Sequence, residues 1–183
     1  AIGGNGNTVE IYNGQTGVWS TGPALPIDVN HGTAITVNGK IFLIGGALAN
    51  YGQKLDRVYQ FDPTTNQWSQ RSSMPTARTS CRLAYLDGKI WAIGGATNQA
   101  VSTVEIYDVA SDSWAVGPSL TMPRYGVSVW VENGRIHAGG GANNDSPFLN
   151  SVEVYDPLSL QWKDSGSTFP ENKYYGAVTV LRD

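Results

Sequence analysis

An all-β fold made of repeated four-stranded antiparallel units is predicted by three residue series that recur in phase along the chain. The first is an aromatic residue followed seven positions later by tryptophan: Tyr12 and Trp19, Phe61 and Trp68, Tyr107 and Trp114, Tyr155 and Trp162. Successive tryptophans of this series lie 49, 46 and 48 residues apart. The second is a glycine doublet, at Gly3-Gly4, Gly45-Gly46, Gly94-Gly95 and Gly140-Gly141. The third follows each tryptophan: Leu25-Pro26, Met74-Pro75, Met122-Pro123 and Phe169-Pro170. A period of this size marks a chain assembled from stacked supersecondary units.

The elements of one unit follow in order. Strand one covers Thr79–Leu86 and ends at Asp87-Gly88, a pair that tolerates positive φ at both positions and so favours a two-residue hairpin. Asn38-Gly39 and Asn133-Gly134 repeat this signal. Strand two returns as Lys89–Ile93 and stops at the glycine doublet, where a side chain would obstruct the bend. Strand three is Thr103–Tyr107, with Val104 and Ile106 alternating against Glu105 as half-buried strands require. Asp108 opens a turn and strand four carries Trp114. Asp62, Asp156 and Asn13 hold the same position and are expected to accept backbone hydrogen bonds as Asx turns. No segment has a helical period. The signals divide the chain into a partial repeat over 1–26, complete repeats over 27–75, 76–123 and 124–170, and the first strand of a further repeat over 171–183. A four-stranded unit of about 47 residues is a propeller blade.

Composition limits the function. The 183 residues include 22 glycines, about 12% against an average near 7%. Twelve basic against fifteen acidic residues give a net charge of −3, without the basic excess that nucleic-acid binding needs. No apolar run approaches the roughly 18 residues of a membrane-spanning helix. Neither a nucleic-acid nor a membrane partner is expected. A single cysteine, Cys81, excludes an intrachain disulfide and a multi-cysteine zinc site.

Glycine doublet, Tyr-Asp, seven-spaced tryptophan and Met74-Pro75-Thr76-Ala77-Arg78 together resemble the kelch repeat, and the resemblance covers the whole chain. It implies a β-propeller whose blades pack face to face around an axis. The terminal half-units are then expected to belong to a longer propeller, with a ring completed by a second copy as the next arrangement and closure as four blades the last.

A twisted sheet covered on both faces needs large side chains between blades. The repeated tryptophans are read as that packing rather than as stacking platforms, because a ligand needs one copy and not four. Glu10, Glu105 and Glu153 occupy one repeat position and so are not a catalytic pair. No G-x-S-x-G, G-x-G-x-x-G or multi-histidine pattern is present. His31, Cys81, Tyr125 and Tyr175 are residue types used by the galactose-oxidase relatives of kelch proteins, but the rest of that motif is missing. No cofactor, metal or catalytic residue is expected.

The start of strand one and the end of strand two share one end of each blade, so one face collects two loop series. Candidate binding residues in the first are Asn30, His31, Arg78, Ser80, Arg124, Tyr125, Tyr174 and Tyr175; in the second they are Tyr51, Asn98 and Asn144. Variable loops on a rigid scaffold are where recognition resides. The resemblance implies a partner site on this face with the arginine after Met-Pro contributing. Arg78 and Arg124 present donor forks suited to carboxylates and peptide carbonyls. An equal alternative has them satisfying carbonyls or acids of the next blade. In the flanking repeats the position is assigned to Val29 and Tyr174. Arg82, inside strand one, is expected to line the central channel. The expected function is non-catalytic binding of a protein or peptide, an acidic one if the arginines face it. The alternatives are a sugar-acting enzyme and a carbohydrate-binding propeller.

Overall fold

In a computed structural model, residues 1–3, 6–48, 52–176 and 178 are described; every statement below concerns these residues. They form fourteen strands and no helix. A two-stranded sheet joins β1 (Glu10–Asn13) and β2 (Val18–Thr21). The first complete blade contains β3 (Thr33–Val37), β4 (Lys40–Ile44), β5 (Val58–Asp62) and β6 (Gln67–Arg71). The second contains β7 (Arg82–Leu86), β8 (Lys89–Ile93), β9 (Val104–Asp108) and β10 (Ser113–Val116). The third contains β11 (Ser128–Glu132), β12 (Arg135–Gly139), β13 (Ser151–Asp156) and β14 (Gln161–Thr168). Each is an antiparallel meander in chain order, the strand pattern of a β-propeller. Strand one starts later than expected, at Arg82. Thr79 makes only an isolated bridge to Ala96.

Alternation with period two serves two junctions at once. In β8, Ile90 and Ala92 face the first blade, in a core with Phe42, Ile44, Val58 and Met74. Trp91 and Ile93 face the third blade, with Ile136, Ala138, Tyr155 and Trp162. A strand clothed on both faces therefore reads as a near-continuous apolar run. The first strands of successive blades touch, β3 with β7 and β7 with β11, which places them on the axis side.

The turns before strand four form as expected. Asp108 Oδ1 accepts the N–H of Ala110 and of Ser111, both at 3.0 Å. Asn13 Oδ1 does the same for Gln15 and Thr16 at 2.9 and 3.1 Å. Asp62 and Asp156 accept from Thr64 and Leu158.

The tryptophans divide. Trp162 is buried, and Trp68 and Trp114 donate their indole N–H to the preceding unit, at Pro23 O (3.0 Å) and Ser72 O (2.8 Å). Trp19 departs from the expected packing role and is 57% exposed, because no sheet covers its side of the two-stranded unit.

Candidate functional site

Four equivalent positions, one per repeat, build the mouth of the propeller. Ser80 N–H donates to His31 O (3.2 Å), Gly126 N–H to Ser80 O (3.2 Å) and Tyr175 N–H to Gly126 O (2.9 Å). A backbone chain of hydrogen bonds thus runs from repeat to repeat. All four residues have left-handed φ: 53° at His31, 56° at Ser80, 61° at Gly126 and 53° at Tyr175. For the non-glycine members this costs about 1 kcal/mol each. A Cβ at Gly126 would lie 2.7 Å from the Tyr174 ring, which would have to shift to admit it.

His31, Ser80, Tyr125 and Tyr175 come together with Lys54, Thr79 and Ala96 around a cavity of about 260 Å³. Ser80 Oγ and the Tyr175 hydroxyl are hydrogen-bonded at 2.6 Å. The Arg82 guanidinium carbon sits 5.5 Å from the centre of the Tyr175 ring, a cation–π contact that ties strand one to the mouth. Tyr174 extends the aromatic surface, edge-on to Tyr125 at 5.7 Å and to Phe148 at 6.3 Å. Partial burial, with the Tyr175 hydroxyl next, pushes the Tyr174 phenol above its ordinary pKa, so it stays protonated.

For Arg78 and Arg124 the burial selects the second of the two readings, internal pairing with the next blade, over the partner-facing one. Arg78 and Arg124 are fully buried and present nothing to a partner. Arg78 Nη1 pairs with Glu105, and its Nη2 donates to Ala92 O at 3.0 Å. Arg124 Nη2 pairs with Glu153 at 3.0 Å, and its Nη1 donates to Gly140 O at 2.9 Å. The physical reason is topological. Glu105 shares a strand face with Tyr107, which looks back at the preceding blade, where the incoming connection delivers the arginine. Asn30 is also buried, with its N–H and C=O bridged to Ala47. The assignment of Tyr174 to the arginine position shifts by one. Gly141 N–H donates to Lys173 O, as Gly46 and Gly95 donate to Arg78 O and Arg124 O, so Lys173 stands there.

Asn98 and Asn144 are exposed on neighbouring loops and do not line the cavity, although Asn144 Oδ1 accepts the Ala100 N–H at 3.3 Å. Tyr51 lies outside the described residues. Lys54 is the site residue that the sequence reading passed over. Its signal was available, since it is the single cation of the long 47–55 loop. Cys81 is buried and burial raises its thiol pKa, which makes it a packing residue.

The Kelch motif family model matches residues 30–75, 77–121 and 123–167. Kelch-like protein 35 of Mus musculus is 29% identical over 175 residues, covering 96% of this chain and 30% of the mouse protein. F-box/kelch-repeat protein SKIP30 of Arabidopsis thaliana is 27% identical over 192 residues, covering 97% of this chain and 52% of that protein. The solved structure of YjhT matches with a TM-score of 0.72 at 19% identity, over 84% of this chain and 56% of its own. The chain spans about a third to a half of the length of the two sequence relatives.

Proposed function

This chain belongs to the kelch family of β-propellers, and on that premise we propose that it is a non-catalytic module that binds a protein or peptide segment at its mouth. The carrying observation is the convergence of His31, Lys54, Ser80, Tyr125 and Tyr175, from successive repeats, on one cavity. The tyrosines supply large, stiff contact area of the kind that dominates interface energetics. With Arg78 and Arg124 committed to internal pairs, Lys54 is the cation that lines the cavity, and it favours an acidic side chain on the partner. The relatives named kelch-like and F-box/kelch-repeat support reading the propeller as an interaction module.

The test is a peptide-display selection run beside a glycan panel on the same protein. Enrichment of acidic peptides that compete with one another supports the reading. Glycan binding without peptide enrichment, or turnover of a sugar, replaces it with the carbohydrate-binding or sugar-acting alternative.

A further inference from the structure

The loop between β4 and β5 serves two cavities. Its Lys54 lines the mouth cavity and also a trough of about 600 Å³ on the same blade. The trough reaches Gln70 on β6, the strand farthest from the axis, and Ser73 just after it. All of its lining residues belong to the complete repeat over 27–75, which stands between the two-stranded unit and the second blade. The base of the loop is fixed. Lys54 bridges Ala47, Leu55 N–H donates to Gly46 O at 2.8 Å, and Gly45 N–H donates to Arg57 O at 3.0 Å. Residues 54–57 therefore run alongside the glycine doublet, with Lys54 on the ridge that both cavities share.

The polar groups along this path are under-used. Of the five lysines, Lys40, Lys89, Lys163 and Lys173 each lie within 3.2 Å of a carboxylate. The Lys54 ammonium has no such partner among the described residues. Arg57 is held only at long range, its Nε 3.7 Å from Asp56 Oδ1 and its Nη1 3.5 Å from Gln70 Oε1, so most of its donor fork is open. Asp56 and Gln70 place acceptors beside those donors, and Ile27, Leu48 and Leu55 give the trough an apolar wall. Donors and acceptors side by side along apolar carbon suit an extended peptide, whose backbone presents both kinds of group. A phosphate or an anionic lipid headgroup would meet the Asp56 carboxylate.

We infer that the bound segment does not end in the mouth. It is an extended peptide that seats an acidic side chain against Lys54, crosses that lysine and runs outward along the trough. There Arg57 donates to its carbonyls while Asp56 and Gln70 accept from its N–H groups. This rests on the mouth as a peptide site and deepens it, from a pocket for a side chain to a track for a segment with one acidic end. The mouth cavity is about 260 Å³ and the trough about 600 Å³, so the larger share of the room for ligand lies outside the mouth. Selectivity then resides in the long loop of one repeat, because both cavities draw on it.

The experiment is isothermal titration of the 183-residue chain with capped triglutamate, and with the same peptide lengthened by alternating serine and valine at its N-terminus or at its C-terminus. One of the two lengthened peptides is expected to bind about tenfold more tightly than triglutamate, the other no more tightly, because only one direction leads into the trough. K54E weakens all three by about tenfold. R57A and Q70A each bring the ratio of lengthened to short affinity back toward one, with melting curves to verify folding. Triglutamate binding that K54E weakens, with no gain on lengthening, an equal gain at both ends, or a gain that survives R57A and Q70A, overturns this inference and leaves the mouth site standing. Triglutamate that does not bind, or that ignores K54E, overturns the acidic mouth site and this inference with it.

Discussion

Arg78 and Glu105 form an ion pair with both side chains withdrawn from water, 0% and 2% exposed, although they are 27 residues apart. The equivalent positions of the preceding repeat hold Val29 and Tyr59, which sit together in an apolar core. One junction position is therefore filled by matched charges in one repeat and by two apolar groups in another.

That exchange is a testable equivalence. R78A or E105A leaves one buried charge without its partner and should cost about 3–5 kcal/mol, read as a lowered urea midpoint. The double variant R78V/E105Y, which copies the Val29–Tyr59 solution, should recover most of that loss. A double variant no better than the singles would show that the apolar solution does not transfer.

At the mouth, K54E should lower affinity for an acidic peptide by about tenfold, with a thermal midpoint near that of the parent, because the ammonium lines the cavity. R78A should instead lose folding and binding together. Isothermal titration beside a melting curve separates the two behaviours.

The Asx turns give a pH signature. The Lys89 ammonium first, then the Ser111 N–H, holds the Asp108 carboxyl at about 2, below its ordinary 3.8. A folded pKa below the unfolded one means that the stabilisation is complete above about pH 4 and is lost as pH falls through about 2. D108N should be less stable than the parent at neutral pH, and the gap should close between pH 4 and 2. Asn13, which makes the same turn uncharged, indicates that the turn itself survives the substitution.

The doublet glycines are predicted to be irreplaceable. A Cβ at Gly95 would lie 2.6 Å from Thr79 O and 2.9 Å from Cys81 N, at φ +103°. G95A should cost about 2–3 kcal/mol. At Gly88 the φ is +77° but nothing lies within 4 Å, so G88A should cost only about 1 kcal/mol. Denaturant midpoints of the pair isolate the backbone clash from the backbone angle.

Half of the mouth was readable in advance. His31, Ser80, Tyr125 and Tyr175 fall at strand-one starts, and repetition alone brings such positions to one face. Lys54 was not singled out because it lies in a loop series whose length and chemistry vary from repeat to repeat, so no repeated motif marks the position. Asn30 was placed at the surface and is buried, and for Arg78 and Arg124 only the structure chose the internal pairing over the partner-facing alternative, since a motif spacing does not say which way a side chain turns at a junction.

The amino-acid order by itself determined the period, the strands, the hairpins and the Asx turns, because each depends on contacts between residues a few positions apart or on backbone conformations that few residue types tolerate. Tertiary structure alone decided which chemically equal residues are buried and which are presented. Trp19 and Trp114 share one motif, and Glu10 and Glu105 share another, yet a neighbouring blade covers Trp114 and Glu105 while Trp19 and Glu10 remain in water. Desolvation depends on what stands across the junction, and that is a property of stacked sheets rather than of any one repeat.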